Sequence, residues 1–138
     1  INIKNIEFIK QDLNKIKKNH YSLHESISCL HALEHFGLGR YGDPIDPNGH
    51  LKGFENLYKL LKKGGILYIS FPIGANQTFF NSQRTFEPNE ILKWCSDRFE
   101  LIKFDYVNDD GNLILNASLD KLVNLSYGCG IYTLRKVK

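Results

Sequence analysis

A short run of the sequence, from Leu33 to Pro44, collects a histidine, two acids, an arginine and three glycines. Arg40 carries a planar guanidinium group that can pair with a carboxylate or a phosphate. Glu34 and Asp43 are candidates for a base or for acceptors of a hydroxyl group. The glycines at positions 37, 39 and 42 permit positive φ and a close approach of a ligand to the backbone. A tight loop in which Arg40 and Asp43 simply pair with each other is the alternative, and both interpretations stay open.

A second polar run, from Gly74 to Arg84, contains amides, hydroxyls, one arginine and two phenylalanines. Neutral hydrogen-bonding side chains beside an aromatic ring suit a sugar or another polyol. The alternative is an ordinary exposed loop whose Phe79 and Phe80 are packed into the core. We assign four residues of the two runs to substrate binding, namely Arg40, Tyr41, Asn81 and Arg84.

The stretch from His31 to His35 matches the H-x-x-E-H signature of the inverted zinc proteases. That chemistry needs both histidines on one face of a helix and Glu34 as the general base. Here the pattern follows a predicted strand, ends at once at Gly37, and has no obvious third ligand. We therefore assign no metal and keep a zinc-dependent hydrolase as a minor alternative. A helix-start residue without a catalytic role is the other interpretation of His31.

Alternation and apolar spacing predict the elements that position these residues. We expect strands at residues 6–9, 23–30, 66–71, 99–106 and 130–135. The expected helical segments are residues 31–36, 51–63 and 89–96. The second of these is the clearest, because two lysines occupy its last turn and Gly64 or Gly65 can supply its left-handed end.

Strands that alternate with helices predict an α/β fold with a mostly parallel sheet, helices on its faces and an antiparallel edge. Both polar runs follow the carboxyl ends of predicted strands. Because neighbouring parallel strands end at one edge of a sheet, we expect both runs to meet there, where such sheets bind ligands. The prediction is one composite site formed by Glu34, His35, Arg40, Asp43, Asn81 and Arg84.

The composition is that of one globular domain, with 138 residues of which 42% are hydrophobic. A net charge of +3 with scattered lysines argues against nucleic-acid binding, and no apolar run approaches the roughly 20 residues of a membrane span. Three cysteines without a C-x-x-C pattern favour neither disulfides nor a zinc site and predict a reducing, cytoplasmic setting. Because the sequence begins at Ile1 and lacks methionine, we expect a domain cut from a longer protein.

Three stretches of the sequence resemble the second half of a class I S-adenosylmethionine-dependent methyltransferase. They are Phe8 to Asp12, Ser26 to His35, and Leu60 to Leu67. The resemblance implies an acidic residue after the third strand of that fold, a fourth strand that ends in L-E-H, and an L-K-x-G-G turn before the fifth strand. It assigns Asp12 to the adenine side of the cofactor, and we place His31 with it in the cofactor-binding set.

Two further motifs resemble a more specific family, the methyltransferase-like domain of unknown function 268 (DUF268). They are Glu34 to Pro44 and Phe80 to Arg84, and the resemblance covers most of residues 26–111. It implies a Rossmann-like fold that corresponds to the C-terminal half of a class I methyltransferase. Bacterial relatives tend to occur among surface-polysaccharide functions, which agrees with the polyol interpretation of the second run.

The resemblance is incomplete at the cofactor. The glycine-rich motif after the first strand and the acid after the second strand of the methyltransferase fold have no counterpart in this sequence. We therefore expect residues 1–138 to form a single methyltransferase-like domain without its N-terminal cofactor-binding part.

Together these patterns predict a methyltransferase-like protein that acts on a hydroxyl group of a sugar or nucleotide-sugar in surface polysaccharide biosynthesis. His35 or Asp43 would take the proton, with Glu34 as the third catalytic candidate and S-adenosylmethionine as the possible cofactor. The expected partner is a small-molecule or glycan substrate. The alternative is a non-catalytic Rossmann-like module that recognises glycans or supports a partner domain.

Overall fold

A computed structural model describes residues 3–121 and 124–138 and contains a five-stranded sheet, a two-stranded sheet and two α-helices. The α-helices are α1 (Gly49–Leu60) and α2 (Glu90–Cys95). The strands are β1 (His24–Leu30), β2 (Leu61–Ile73), β3 (Gln77–Phe79), β4 (Gln83–Thr85), β5 (Phe99–Val107), β6 (Leu113–Ile114) and β7 (Gly128–Lys136). Short 3₁₀ turns occupy Leu13–Lys15, Lys18–His20, Leu33–His35 and Leu119–Lys121.

The main sheet has the strand order β1-β2-β7-β5-β6. Strand β1 runs parallel to β2, whereas β7 lies between β2 and β5 and is antiparallel to both. The strands β1, β2 and β5 therefore share one direction, and β6 adds an antiparallel edge beside β5. As a result, the carboxyl ends of β1 and β2 and the amino end of β7 lie at the same edge of the sheet.

The predicted α/β class is confirmed, but the boundary after the first α-helix is different. Helix α1 ends at Leu60, and the two following lysines belong to β2 rather than to a last helical turn. Leu61 explains the change, because its side chain is fully buried and its backbone is paired with His24 of β1. Strand pairing and burial thus outweigh the local helical pattern.

The strand predicted at residues 6–9 is wrong. No strand forms in residues 3–23, and Ile6, Phe8 and Ile9 are exposed. A strand is stable only when its backbone groups are paired, and no strand in the described part of the chain pairs with this segment. The apolar alternation that prompted the prediction begins at Ile1, which lies outside the described residues.

One face of the sheet carries the aromatic core. Phe71 of β2 stacks on Tyr132 of β7 at a centroid distance of 5.0 Å and lies 5.4 Å from Trp94 of α2. Phe54 of α1 completes the contact, 5.7 Å from Trp94 and 5.4 Å from Phe99 of β5. Both α-helices are therefore anchored on this face by their aromatic residues, which stabilise the fold by burying large apolar areas.

The second face of β2 is covered over part of the strand only. Tyr68 lies between two fully buried neighbours on β2, yet 45% of its surface is exposed. Toward the carboxyl end of the strand both faces are closed, because Ser70 and Pro72 are buried as well. Around Tyr68 the side chains therefore divide into a core face and an open face.

Replacing one residue on each face of β2 tests this division. We expect Phe71→Ala to lower the free energy of unfolding by about 3–5 kcal/mol, because it leaves a cavity among three aromatic rings. Tyr68→Ala, the matched control, removes a half-exposed ring and costs less than about 1 kcal/mol. Urea denaturation of both variants measures the difference, and equal costs would contradict the assignment of the two faces.

His50 of α1 is enclosed by the same aromatic cluster. Its ring lies 5.3 Å from Phe86 and 5.5 Å from Trp94, and its buried Nδ1 has no hydrogen-bond partner in the described residues. Burial lowers the pKa of His50 to about 4, and the nearby guanidinium of Arg84 adds to the effect. The folded protein therefore resists protonation of this imidazole.

This resistance predicts a loss of stability in mild acid. As the pH falls below about 6.5, His50 becomes protonated in the unfolded chain. In the folded chain it stays neutral until the pH reaches about 4, so the unfolded state is favoured between these values. We expect the wild type to lose about 2 kcal/mol more unfolding free energy than His50→Phe between these pH values, after allowance for solvent screening. Chemical denaturation at several pH values tests this, and parallel pH profiles would refute it.

Candidate functional site

Glu34 is the centre of the candidate site. It lies in the 3₁₀ turn after β1, and its carboxylate is almost completely buried. Its Oε1 is 3.2 Å from Nδ1 of His31 and 3.7 Å from Nε2 of His35. Its Oε2 has no hydrogen-bond partner among the described residues. A buried carboxylate is costly unless it is paired, so the hydrogen bond from Nδ1 of His31 stabilises Glu34 in this position.

The imidazole of His31 is oriented by this carboxylate. Because a carboxylate only accepts hydrogen bonds, Nδ1 of His31 donates, and Nε2 of the neutral ring is left as an acceptor. Nε2 faces Sγ of Cys129 at 3.1 Å, and 49% of the His31 side chain is exposed. The backbone of His31 has a φ of 48°, an unfavourable left-handed conformation for this residue type.

Cys129 is a member of this cluster that the sequence analysis missed. It lies at the amino end of β7, opposite Pro72 of β2 and Val107 of β5. Burial raises the pKa of its thiol, and the negative charge of Glu34 raises it further. Its 98-residue separation from His31 gives no local signal. Only the antiparallel insertion of β7 brings it to the edge where β1 ends.

His35 and Arg40 join the glycine-rich run to the second polar run. Nδ1 of His35 donates to the carbonyl oxygen of Ser82 at 2.7 Å, and Nη1 of Arg40 approaches the same oxygen at 3.4 Å. The side chain of His35 is only 15% exposed. The structure thus brings together the two runs that the sequence analysis expected to meet, and Ser82 is one of the contacts between them.

Arg84 stabilises the contact between the two runs through hydrogen bonds to the backbone. It is buried, and its guanidinium donates to the carbonyl oxygens of Phe36 at 2.6 Å and Pro47 at 3.3 Å, with those of Glu34 and Asp46 at 3.4 Å. Burial lowers the pKa of Arg84, and Asp46 and Asp43 partly offset that effect. Its donors face the backbone of the glycine-rich run, which favours a structural role over the substrate contact assigned from sequence.

Asp43 closes the glycine-rich run through backbone contacts. Its Oδ2 accepts from the N–H of Gly37 at 2.7 Å and its Oδ1 from that of Tyr41 at 3.2 Å. Slight burial opposes ionisation, but these N–H groups outweigh it and hold the pKa of Asp43 below its usual value. The carboxylate is therefore a weak base with its oxygens engaged. Arg40 contacts the ring of Tyr41, 5.5 Å from its centroid, rather than the carboxylate of Asp43.

The remaining predicted residues lie at the surface. Tyr41 and Asn81 are exposed on the two runs, and Asn81 has a φ of 55°. Asp12 is exposed before the first 3₁₀ turn, where Oδ1 accepts from the N–H of Asn14 and Oδ2 lies 3.5 Å from Lys15. These side chains are accessible to a ligand, but their assigned roles stay predictions.

A cavity of about 480 Å³ opens beside Ser82. Its lining combines amides, hydroxyls and aromatic rings, contributed by Gln77, Phe79, Ser82, Gln83, Thr85 and Tyr127. Nε2 of Gln83 donates to the hydroxyl of Tyr127 at 2.6 Å, and both Phe79 and Phe80 are exposed. The alternative that packed these phenylalanines into the core is therefore wrong. After Cys129, Tyr127 is a second residue that sequence reasoning missed.

The arrangement gives no support for a metal centre or a membrane segment. Residues 3–121 and 124–138 contain no group of three or more His, Cys, Asp and Glu side chains placed to hold a metal ion. The His31–His35 stretch contains a single 3₁₀ turn, which lacks the helical face that the zinc interpretation requires. No helix in the described ranges has the length and apolar character needed to cross a bilayer.

Comparison with protein families matches residues 2–117 to the family described as "Caenorhabditis protein of unknown function, DUF268". A methyltransferase structure from Bacillus halodurans aligns with 99% of this chain and 74% of its own, at a TM-score of 0.64 and 16% identity. The structure of the [4+2]-cyclase SpnF aligns with 95% of this chain and 57% of its own, at a TM-score of 0.63 and 12% sequence identity. No curated protein matches the chain.

A third similar structure was solved with ligands. The 1,6-didemethyltoxoflavin-N1-methyltransferase of Burkholderia thailandensis, with bound 1,6-didemethyltoxoflavin and S-adenosylhomocysteine, has a TM-score of 0.63 and 14% identity. The alignment covers 95% of this chain and 51% of that protein. At these identities the likeness establishes the fold alone. The chain spans between 51% and 74% of the length of the three structures.

Two glycines of the glycine-rich run provide a matched test of its packing. Gly37 and Gly42 have nearly equal φ, 75° and 76°, but a Cβ on Gly37 would lie 2.1 Å from the carbonyl oxygen of Asp46, whereas a Cβ on Gly42 would meet nothing within 4 Å. We expect Gly42→Ala to lower the free energy of unfolding by about 1 kcal/mol, because alanine disfavours the left-handed conformation. Gly37→Ala should lower it by about 1–3 kcal/mol more, because its Cβ also meets the backbone of Asp46. Thermal or urea denaturation measures both, and equal destabilisation would show that the close approach does not matter.

Proposed function

The chain belongs to the DUF268 family and has the Rossmann-like fold of class I S-adenosylmethionine-dependent methyltransferases, and we propose on this premise that it forms the acceptor side of a methyltransferase-like protein. The acceptor is a hydroxyl group of a sugar or nucleotide-sugar. The place of this reaction in surface polysaccharide biosynthesis is part of the proposal and rests on the family resemblance.

The observation that carries the proposal is the cavity at Ser82, which is linked to the buried carboxylate through His35. Ser82 lines the cavity, and its carbonyl oxygen binds His35, which in turn lies next to Glu34. Amide and hydroxyl groups of the lining suit the many hydroxyls of a sugar, and the exposed rings of Phe79 and Tyr127 suit its apolar face. A polyol bound there would lie near the imidazole and carboxylate cluster.

His31 is the group that we propose as the proton acceptor. Its Nε2 is an acceptor, its side chain is half exposed, and its other nitrogen is held by Glu34, which stabilises the imidazolium that forms on proton uptake. The thiol of Cys129 is a weak donor, so a substrate hydroxyl can replace it at Nε2. His35 and Asp43, the candidates from sequence, have their polar atoms engaged in holding the two runs.

Arg40, Tyr41 and Asn81 supply further contacts in this proposal. Arg40 is exposed beside the cavity wall at Ser82, where its guanidinium can meet the phosphate of a nucleotide-sugar. Arg84 acts indirectly, since it fixes the carbonyls of the glycine-rich run from which Arg40 and Tyr41 project.

The described residues do not by themselves form a site for S-adenosylmethionine. The glycines of the run after β1 provide no cradle, because the space beside Gly37 is filled by Asp46 and Gly42 faces open space. Asp12 presents an exposed carboxylate and His31 an accessible imidazole. These two groups account for contacts to the adenine part of the cofactor and at the edge of the sheet, and for no other part of its site. We derive no step through the cofactor and propose that another part of the protein completes its site.

The same observation favours a second candidate function. Without a cofactor cradle in the described residues, the chain can serve as a non-catalytic module that recognises a glycan through the cavity, or that supports a partner domain. The two candidates share the cavity and differ in cofactor binding and in the need for His31.

Calorimetry and methyl transfer on the full-length protein separate these candidates. Under the enzymatic proposal we expect S-adenosylhomocysteine to bind, and transfer of labelled methyl groups to a panel of sugars and nucleotide-sugars to occur. His31→Asn should lower kcat by about 100-fold or more, since it removes the proton acceptor. The control His24→Asn replaces an exposed histidine on β1 and should retain wild-type activity.

Other results would redirect the assignment. Binding of a nucleotide-sugar without binding of S-adenosylhomocysteine would favour the glycan-recognition module. Full activity in His31→Asn would refute the proposed proton acceptor. Stoichiometric zinc in the purified protein would overturn both candidates in favour of a metal-dependent hydrolase.

A further inference from the structure

Three side chains form a continuous hydrogen-bonded series at the edge of the sheet. Sγ of Cys129 is 3.1 Å from Nε2 of His31, and Nδ1 of His31 is 3.2 Å from Oε1 of Glu34. The order is thiol, imidazole and buried carboxylate. A nucleophile beside a base that a third group orients is the arrangement that activates cysteine and serine side chains in enzymes.

We propose that Cys129, His31 and Glu34 form a relay that makes Cys129 a nucleophilic thiol for small, uncharged carbon electrophiles such as α,β-unsaturated carbonyl compounds. The step requires neither the methyl donor nor the sugar of the proposed function. It is a second chemical capacity of the same edge of the sheet.

The proposed step balances without any further reactant. Sγ bonds to the β carbon of the unsaturated compound while the thiol proton passes to Nε2 of His31. The electrons of the carbon–carbon double bond move toward the carbonyl group, and the α carbon then takes a proton from the imidazolium. With an alkyl halide the new bond from Sγ displaces the halide, and His31 gives its proton to water.

The resting state of Cys129 is the protonated thiol, which needs a base before it can attack. Burial and the charge of Glu34 raise the pKa of Cys129, so the thiol keeps its proton and donates to His31. Glu34 stabilises the positive imidazole that forms when the proton moves to His31, because its carboxylate lies 3.2 Å from Nδ1. The proposal therefore assigns removal of the thiol proton to His31.

The other two cysteines provide internal controls. Cys29 and Cys95 are buried, and burial raises their pKa values to about 11 and about 12. Neither contacts a histidine in the described hydrogen bonds. Cys129 is the more accessible of the three. A reagent that reacts only with unfolded chains would label all three cysteines, whereas the relay predicts labelling of Cys129 alone in the folded protein.

The backbone of His31 suits a glycine variant. Its φ of 48° is easy for glycine, so His31→Gly removes the imidazole without straining the backbone, and it also removes the hydrogen-bond donor of the buried Glu34. The same change uncovers Cys129. Simple accessibility therefore predicts faster labelling in His31→Gly, and the relay predicts slower labelling.

Timed labelling of the full-length protein with iodoacetamide tests the relay, with peptide-resolved mass spectrometry of the three cysteines. We expect Cys129 to react at least about 10-fold faster than Cys29 and Cys95, and about 10-fold more slowly in His31→Gly than in the wild type. Added imidazole should restore the rate in His31→Gly. His31→Asn, which also tolerates positive φ, provides a second variant in case His31→Gly does not fold.

Two results would overturn the proposal. The first is labelling of Cys129 at the rate of Cys29 and Cys95 in the wild type. The second is unchanged or faster labelling of Cys129 in His31→Gly and His31→Asn while Cys29 and Cys95 stay protected. Because no methyl donor or sugar is present, failure here leaves the proposed methyl transfer untouched, and loss of methyl transfer leaves this test valid.

Discussion

Strand β7 enters the sheet between β2 and β5 and pairs along its length with both of them, in the opposite direction. This insertion places Tyr132 and Leu134, both fully buried, at the centre of the aromatic core. It also carries the amino end of β7 to the edge where β1 and β2 end. One backbone pairing therefore stabilises the core and delivers Cys129 to the candidate site, so the site depends on the last strand as much as on the motifs that precede it.

Charged side chains hold the loops at this edge through hydrogen bonds to the backbone. Arg84 uses its guanidinium on backbone carbonyls of the glycine-rich run, and Asp43 binds the N–H groups of the same run. Charged hydrogen-bonding groups of this kind fix geometry more sharply than apolar contacts, since each has a preferred direction. The consequence is that Glu34 stays buried between two imidazoles while His31 remains accessible.

The fold limits the function without deciding it. The structures that resemble this chain include methyltransferases and a cyclase, so one architecture supports different reactions. The groups that bear on the reaction are local: a cavity lined by amides, hydroxyls and aromatic rings, an imidazole held by a buried carboxylate, and a thiol at the other nitrogen of that imidazole. The proposed reactions rest on these groups, and the shared fold only explains why they meet at one edge.

Local pattern by itself predicted β1, α1, β2, α2, β5 and β7 in their order along the chain, since apolar spacing and turn residues act over a few neighbouring positions, but it missed the short strands β3, β4 and β6. It also identified both polar runs and their meeting at the carboxyl ends of the strands. It failed at residues 6–9, where alternation without a pairing partner gives no strand, and it could not separate the buried Arg84 from the exposed Arg40. Only the tertiary structure decided the contacts of Cys129, Tyr127 and His31, because contacts between residues far apart in the chain depend on which strands pair and in which direction.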